Sequence, residues 1–435
     1  MYYTFHYSKP LFLSIVLCLC CTLIFDSSAQ KSDYKEFKFV YDVKINGLKE
    51  AGIESQLLQI KKAQESINDS ILEEISYWNN AYPSYRWHQI LMEIGDDFQG
   101  HKNGGRVAIM HLAIYDALVE VWKQKQKIER KAPYEIDSQL DSYGKKFEYS
   151  SFICEWSAAA GAAHQIINYY FPESKLKADS LLFQFKEARL KTGLQFPSDI
   201  EYGLEIGVAI AEKYIEYAQT DGTKEIWSGE VSKGKNLWLG TPSKWDPMKA
   251  KWKPLTLETQ DQFRPQPPPN DWEEDMEELR EFNENHKSSD IAWKWKSQPI
   301  YDRLIERKIL EYNLNSFESA YANALFHTAR FDATIAAWDG KYHYWTIRPF
   351  QYDPEFKPIL IDTPNFPGYP AGHTTVAGAL SEVFSNLFPR DSEEFRKLAL
   401  ECSESRFEGG VHFRTDNEVG LEVGERVGKY VMENF

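Results

Sequence analysis

Cysteine is scarce in this chain and unevenly placed. Of the 5 cysteines, Cys18, Cys20 and Cys21 lie near the start, which leaves Cys154 and Cys402 for the rest. That excludes a disulfide framework, and spacing does not decide whether the last two pair. Strand signals are also sparse. After residue 25 no apolar run is long enough to cross a bilayer, and even residues 157–167 are interrupted by His164. Positive charge is in deficit: 50 Lys and Arg stand against 65 Asp and Glu, a formal net charge of −15. Such a chain is a poor partner for nucleic acid. What is present is core material, 43% hydrophobic and 15% aromatic over 435 residues, so a large folded body is expected. An acidic protein that binds a small anion must gather Lys, Arg and His locally, which makes such clusters the features to look for.

Residues 1–29 read as an export signal. Lys9 supplies the positive flank, residues 11–25 the apolar run, and Ser27, Ser28 and Ala29 the small residues before a cut. The run falls short of the about 20 residues that span a membrane, so no integral segment is expected in the mature chain. A periplasmic or secreted location is the expectation. A lipid anchor is disfavoured because no small residue directly precedes Cys18, Cys20 or Cys21. Oligomeric state is not legible.

Helical periodicity dominates the remainder of the chain. Ile71, Ile75 and Trp78 share one spacing, and Val107, Met110, His111, Ile114 and Leu118 another, which predicts two helices between residues 68 and 121. Residues 154–171, 175–192 and 199–219 continue the pattern, with Asp221-Gly222 as a stop. From 222 to about 274 periodicity fades while Trp, Pro and Lys accumulate, ending in the Pro-rich stretch 261–269. Its aromatics favour an ordered excursion over the surface. Helical pattern resumes over 306–338, 374–387, 392–403 and 417–435. In the last of these Gly420, Gly424 and Gly428 recur every fourth residue. Each costs about 1 kcal/mol against Ala, so a close packing face is expected as the compensation. The organisation expected is a signal at 1–29, an N-terminal helical bundle at 30–221, an irregular connector at 222–290 and a C-terminal helical bundle at 291–435.

Three blocks carry chemistry. Lys341 and Arg348 flank an aromatic stretch just after a helix, and Pro349 ends it. Gly372 and His373 open a helix, where unpaired N–H groups and the helix dipole favour an anion. Arg406, His412 and Asp416 bring together a cation, an imidazole and a carboxylate. Asp416 either fixes the tautomer of His412 or caps the final helix, and the two roles are compatible. His343 is assigned to packing, and His111, His164 and His327 to the core. No acidic cluster has zinc, calcium or magnesium spacing, so no divalent metal is expected.

In this order the blocks resemble Lys-x6-Arg-Pro, Pro-Ser-Gly-His and Ser-Arg-x5-His-x3-Asp, the signature of the vanadium-dependent haloperoxidase and type 2 phosphatidic acid phosphatase superfamily. Ala371 stands where the pattern has Ser. Residues 103–121, 261–269 and 332–349 are similar to the bacterial haloperoxidase-like branch. The resemblance implies an all-α fold of two associated helical bundles with a long irregular Pro/Trp-rich connector. It also implies a vanadate cofactor, or phosphate in the same place, held by Lys341, Arg348, Ala371, Gly372, His373, Arg406 and His412. His412 would ligate vanadium, with His373, His412 and Asp416 catalytic and Trp338 and Phe366 on the halide side. The implied activity is oxidation of iodide or bromide by hydrogen peroxide. The alternatives are hydrolysis of phosphate esters through a phosphohistidine, and a non-catalytic phosphate- or vanadate-binding protein.

Overall fold

The computed structural model describes residues 37, 52–96, 103–146, 149–360 and 362–435. The export signal expected at 1–29 lies outside them. Among the described residues there is no strand, only one isolated antiparallel bridge between Leu237 and Thr346. Among the described residues no helix is long and apolar enough to cross a membrane. Residues 36–435 form one compact unit.

The first half runs through α1 (Ile53–Gln64), α2 (Asp69–Asn79), α3 (Tyr85–Asp96), α4 (Asn103–Lys125), the single turn α5 (Pro133–Ile136), α6 (Glu155–Tyr170), α7 (Lys175–Lys191) and α8 (Pro197–Ala218). Residues 68–121 hold parts of three helices rather than two, because Pro83 and Ser84 break the run and α3 restarts at Tyr85. The span expected to be an irregular connector, 222–290, already contains α9 (Glu273–Asn285), and after it come α10 (Asp290–Ser297), α11 (Ile300–Glu311), α12 (Ser316–Tyr344), the turn α13 (Pro349–Tyr352), α14 (Gly372–Leu387), α15 (Ser392–Glu408) and α16 (Arg414–Asn434). The stretch read as one helix over 306–338 is two. Asn315 starts the second, its side chain accepting from Phe317 and Glu318 while Glu318 reaches back to the Asn315 N–H.

The two halves repeat one another. A 16-residue helix, a short 3₁₀ turn, a 17-residue helix and a long closing helix occur as α6 to α8 and again as α14 to α16. Phe196 and Phe413 are the N-caps of the closing helices, and each donates its N–H to the Asp three residues on, Asp199 or Asp416. Cys154 and Ala371 cap the opening helices and donate their N–H groups to the carbonyls of those same two aspartates, at 3.0 and 2.8 Å. One offset in residue number relates all these pairs, and it also relates Arg189 to Arg406 and Gln195 to His412.

Close helix contact is built from glycine in both copies. A Cβ on Gly424 would lie 2.1 Å from the Thr375 carbonyl oxygen, and one on Gly207 would lie 2.1 Å from that of Ala158. Gly420 and Gly428 likewise face α14, so the four-residue glycine spacing is the packing face expected from the sequence.

The connector is ordered. Buried Asp332 on α12 accepts the N–H groups of Leu255, Thr256 and Leu257 at 2.8, 2.8 and 3.3 Å. Arg264 forks onto Asp339 at 2.7 and 2.6 Å, and Tyr344 and Tyr369 donate to the carbonyls of Pro265 and Gln266. These bonds strap the Pro-rich stretch across the end of the bundle where the three blocks meet. Cys154 and Cys402 are buried and free.

Candidate active site

All three blocks converge. Lys341 lies in the last turn of α12 rather than beyond it, because the helix runs to Tyr344 and Trp345 closes it in the left-handed region at φ 53°. Its Nζ is wholly buried and donates to the carbonyls of Pro367 and Gly368 at 2.9 and 2.5 Å. Arg348 is equally buried. Its guanidinium donates to the carbonyls of Phe366 (2.9 Å), Val411 (2.6 Å) and Pro367 (3.3 Å), and its Nη1 lies 3.1 Å from His412 Nε2. Residues 366–368 are thus drawn around two cations by their own carbonyl oxygens.

His412 sits between α15 and α16. Its Nδ1 is 2.9 Å from Asp416 Oδ2, and Asp416 lies one turn into the helix at N3 rather than at the cap. Phe413 rather than Asp416 is the N-cap, and Asp416 contributes to the cap from N3, since the same oxygen also accepts the Phe413 N–H. A carboxylate on Nδ1 keeps the proton there and leaves Nε2 as the lone-pair nitrogen.

His412, His373, Gly372, Arg406, Trp338 and Phe366 line a cavity of about 190 Å³ whose wall also includes Lys296 and Asp362. A Cβ on Gly372 would come 3.0 Å from the Trp338 ring, so a side chain there would press on the cavity wall. Trp338 and Phe366 pack at 5.2 Å, and the Lys341 ammonium and Arg348 guanidinium lie 5.4 and 5.1 Å from the Phe366 centroid.

The electrostatics are those of a site built for an anion. Burial, and then the neighbouring Arg348, hold the Lys341 ammonium well below its usual range, and burial lowers Arg348 to about 9. Burial followed by the charges of Arg406, Lys341 and Arg348 brings His373 down to about 3. Yet His373 is exposed toward the cavity, so the cationic part of that shift is what a bound anion would cancel. His412 is lowered by burial and the same cations. Burial raises Asp416 to about 7, against the pull of Lys341 and Arg348. Arg406 carries a buried Nε with no hydrogen-bond partner.

The structure brings the three blocks together, but of their named residues only Gly372, His373, Arg406 and His412 line the cavity; Lys341 and Arg348 are wholly buried with their donors on carbonyl oxygens, and Ala371 is buried at the α14 cap. His343 packs edge-on against Tyr344, and His164 pairs with Asp179 at 2.7 Å. Sequence reading missed Lys296 and Asp362, an ion pair at 2.7 Å on the cavity wall, and Lys249, whose ammonium lies 4.4 Å from the Trp338 centroid. None of these sits in a motif. Lys296 reaches the site from α10, Asp362 from a loop and Lys249 from a 3₁₀ helix at Pro247–Lys251.

Comparison with known proteins bears on the fold. Residues 389–435 match the family model described as the VCPO second helical-bundle domain. A crystal structure of a bacterial vanadium-dependent iodoperoxidase superposes with a TM-score of 0.59 at 21% identity, over 88% of this chain and 96% of that one. A holo-type bacterial vanadium-dependent chloroperoxidase gives 0.56 at 16% identity, over 76% and 90%. No curated protein matches the sequence. The class the fold defines is the all-α vanadium haloperoxidase type. Together with the family match, it bears out the resemblance to the vanadium haloperoxidase superfamily drawn from the three blocks.

Proposed function

We propose that this chain is a vanadate-dependent haloperoxidase-like enzyme that oxidises a halide, iodide or bromide, with hydrogen peroxide. The observation that carries the reading is His412 on the cavity wall, its Nδ1 held by Asp416 and its Nε2 beside the Arg348 guanidinium.

The residues present fit a tetrahedral oxyanion. Arg406 has a buried donor without a partner, Gly372 leaves room at the start of α14, and the first N–H groups of a helix have no intrahelical acceptor. His412 would hold vanadate through Nε2, with Arg348, Arg406, Lys341 and the Gly372 backbone around its oxygens. Bound there, vanadate supplies the activation of peroxide for two-electron oxidation of halide to hypohalous acid. The chain's own part is to place donors in a low-dielectric pocket before the reaction begins, which is commonly the largest catalytic contribution. Asp416 keeps the proton on Nδ1. His373, exposed in the cavity and poised by its cationic neighbours, moves the proton between peroxide or product and water.

The test is a paired assay on one purified sample. Halide oxidation by peroxide is measured after vanadate loading, and phosphate release from an aryl phosphate without it. The expected result is vanadate-dependent oxidation of iodide or bromide, absent in His412→Ala. Phosphate release that vanadate inhibits would replace this reading with a phosphohistidine phosphatase. Tight vanadate binding with neither activity would make the chain an oxyanion-binding protein.

A further inference from the structure

Three histidines far apart in sequence meet inside the helical body, away from the oxyanion cavity. His88 comes from α3, His111 from α4 and His327 from α12. One ligating nitrogen from each lies within 4.8 Å of the other two. His88 Nδ1 is 3.0 Å from His111 Nε2. The His111 and His327 rings stack at 4.4 Å with 14° between their planes, and the His88 centroid is 5.2 and 5.4 Å from theirs.

Core histidines ordinarily satisfy their ring nitrogens with protein donors and acceptors. Here the one contact of that kind joins two histidines, and His111 Nδ1 is buried without a partner. His111 and His327 are 1% and 5% exposed. Burial lowers all three below the usual imidazole range; His88 lowers His111 further, and both lower His327. Neutral imidazoles packed together present lone pairs, and three of them converging on one point match the donor set of a Lewis acid.

We propose that His88, His111 and His327 bind one divalent transition-metal ion of the zinc type, which ties α3, α4 and α12 together. Imidazoles bonded at about 2.0–2.1 Å in a tetrahedral site hold their nitrogens roughly 3.3 Å apart, so binding requires the rings to swing out of their stack. His88 is only partly buried and can lead that movement. Imidazole suits zinc, copper and nickel, and a three-histidine set leaves a tetrahedral ion one further position for water. Carboxylates to offset the charge stand on α11: Asp302, which acts on His88 while paired with Arg330 at 2.6 Å, and Glu306, whose carboxyl is raised by burial and by Asp302. The Arg330 charge opposes the ion, and the Glu306 charge acts on the Tyr82 hydroxyl.

The full chain is stripped with a chelator and dialysed against zinc, then bound metal is counted by atomic emission and the thermal midpoint recorded. Cobalt in place of zinc reports coordination by its visible absorption. The expected result is one tightly held zinc per chain, a raised midpoint and a tetrahedral cobalt spectrum. His88→Gln and His327→Gln should each weaken zinc by more than about 100-fold, and His412→Ala should leave it unchanged. His88→Gln changes a partly exposed residue, and retained helical circular dichroism shows that it folds. Absence of tight zinc from the wild type, equal zinc in His88→Gln, or loss of zinc in His412→Ala would each overturn the proposal.

Discussion

Position 371 holds the N-cap of α14, and alanine there offers the first N–H groups of the helix no side-chain acceptor. Serine is among the preferred caps, worth about 0.5–2 kcal/mol over alanine. Ala371→Ser should therefore raise the thermal midpoint. It should also tighten vanadate by about two- to tenfold, the worth of one net hydrogen bond, and phosphate by less. Equal affinities for wild type and variant would remove the missing hydroxyl from the account of this site. His373 yields a second prediction. Its folded pKa is lowered to about 3 by burial and by the charges of Arg406, Lys341, Arg348 and Arg330, and a bound oxyanion cancels part of the cationic effect. The complex then holds its proton more tightly than the free protein. Affinity for the anion should rise as pH falls through the raised pKa of the complex, levelling off only near the free value. The anion titrates as well, so the quantity to compare is wild type against His373→Gln by calorimetry across pH. Identical profiles would mean that His373 does not share its proton with the bound anion.

At the scale of elements, α14 and α16 lie as close as they do because Gly424 has no side chain. Gly424→Ala puts a Cβ 2.1 Å from the Thr375 carbonyl oxygen, so the helices must part. Overpacking of this kind costs about 1–3 kcal/mol or more, and a chemical denaturation midpoint will read it. Gly104→Ala, where a Cβ meets nothing within 4 Å, serves as the control and should be neutral or slightly stabilising. The consequence should reach the site, because Ala371 at the head of α14 is bonded to the Asp416 carbonyl. A destabilised Gly424→Ala that keeps full oxyanion affinity would show that the helix separation is absorbed before it reaches His373. Most of these helices were legible from apolar periodicity, and the glycine spacing announced its own contact. α9 and α10 were not. The first, with Glu273, Glu274 and Asp275 at its start, is so charged that only Met276 and Leu279 are buried, too few to set a period.

For the whole molecule, the site was legible because its residues sit in three short blocks whose internal spacings follow from local structure. What escaped depends on long-range placement. The carbonyls of residues 366–368, the Lys296–Asp362 pair and the meeting of His88, His111 and His327 arise only when distant helices pack. The repeat escaped for another reason, since its two copies agree in geometry more than in residue type. Lys125 donates to the Ser150 carbonyl much as Lys341 donates to that of Pro367, and Asp199 accepts from Arg130.

Where the second copy opens onto its cavity, the first is filled from within. The Arg189 guanidinium lies 4.6 Å from the Trp156 ring centroid and donates to Gln195, the counterpart of His412. The first half thus sets its arginine against protein side chains, while the second leaves a buried Arg406 donor beside a cavity. Saturation should occur at a single oxyanion per chain. Hydrogen exchange should slow on binding around residues 341–348, 366–374 and 405–416 and stay unchanged over 154–199. Rigidity conferred by the ligand would then be lopsided across a duplicated frame, with the anchored half fixed in advance and the reactive half stiffened only when loaded.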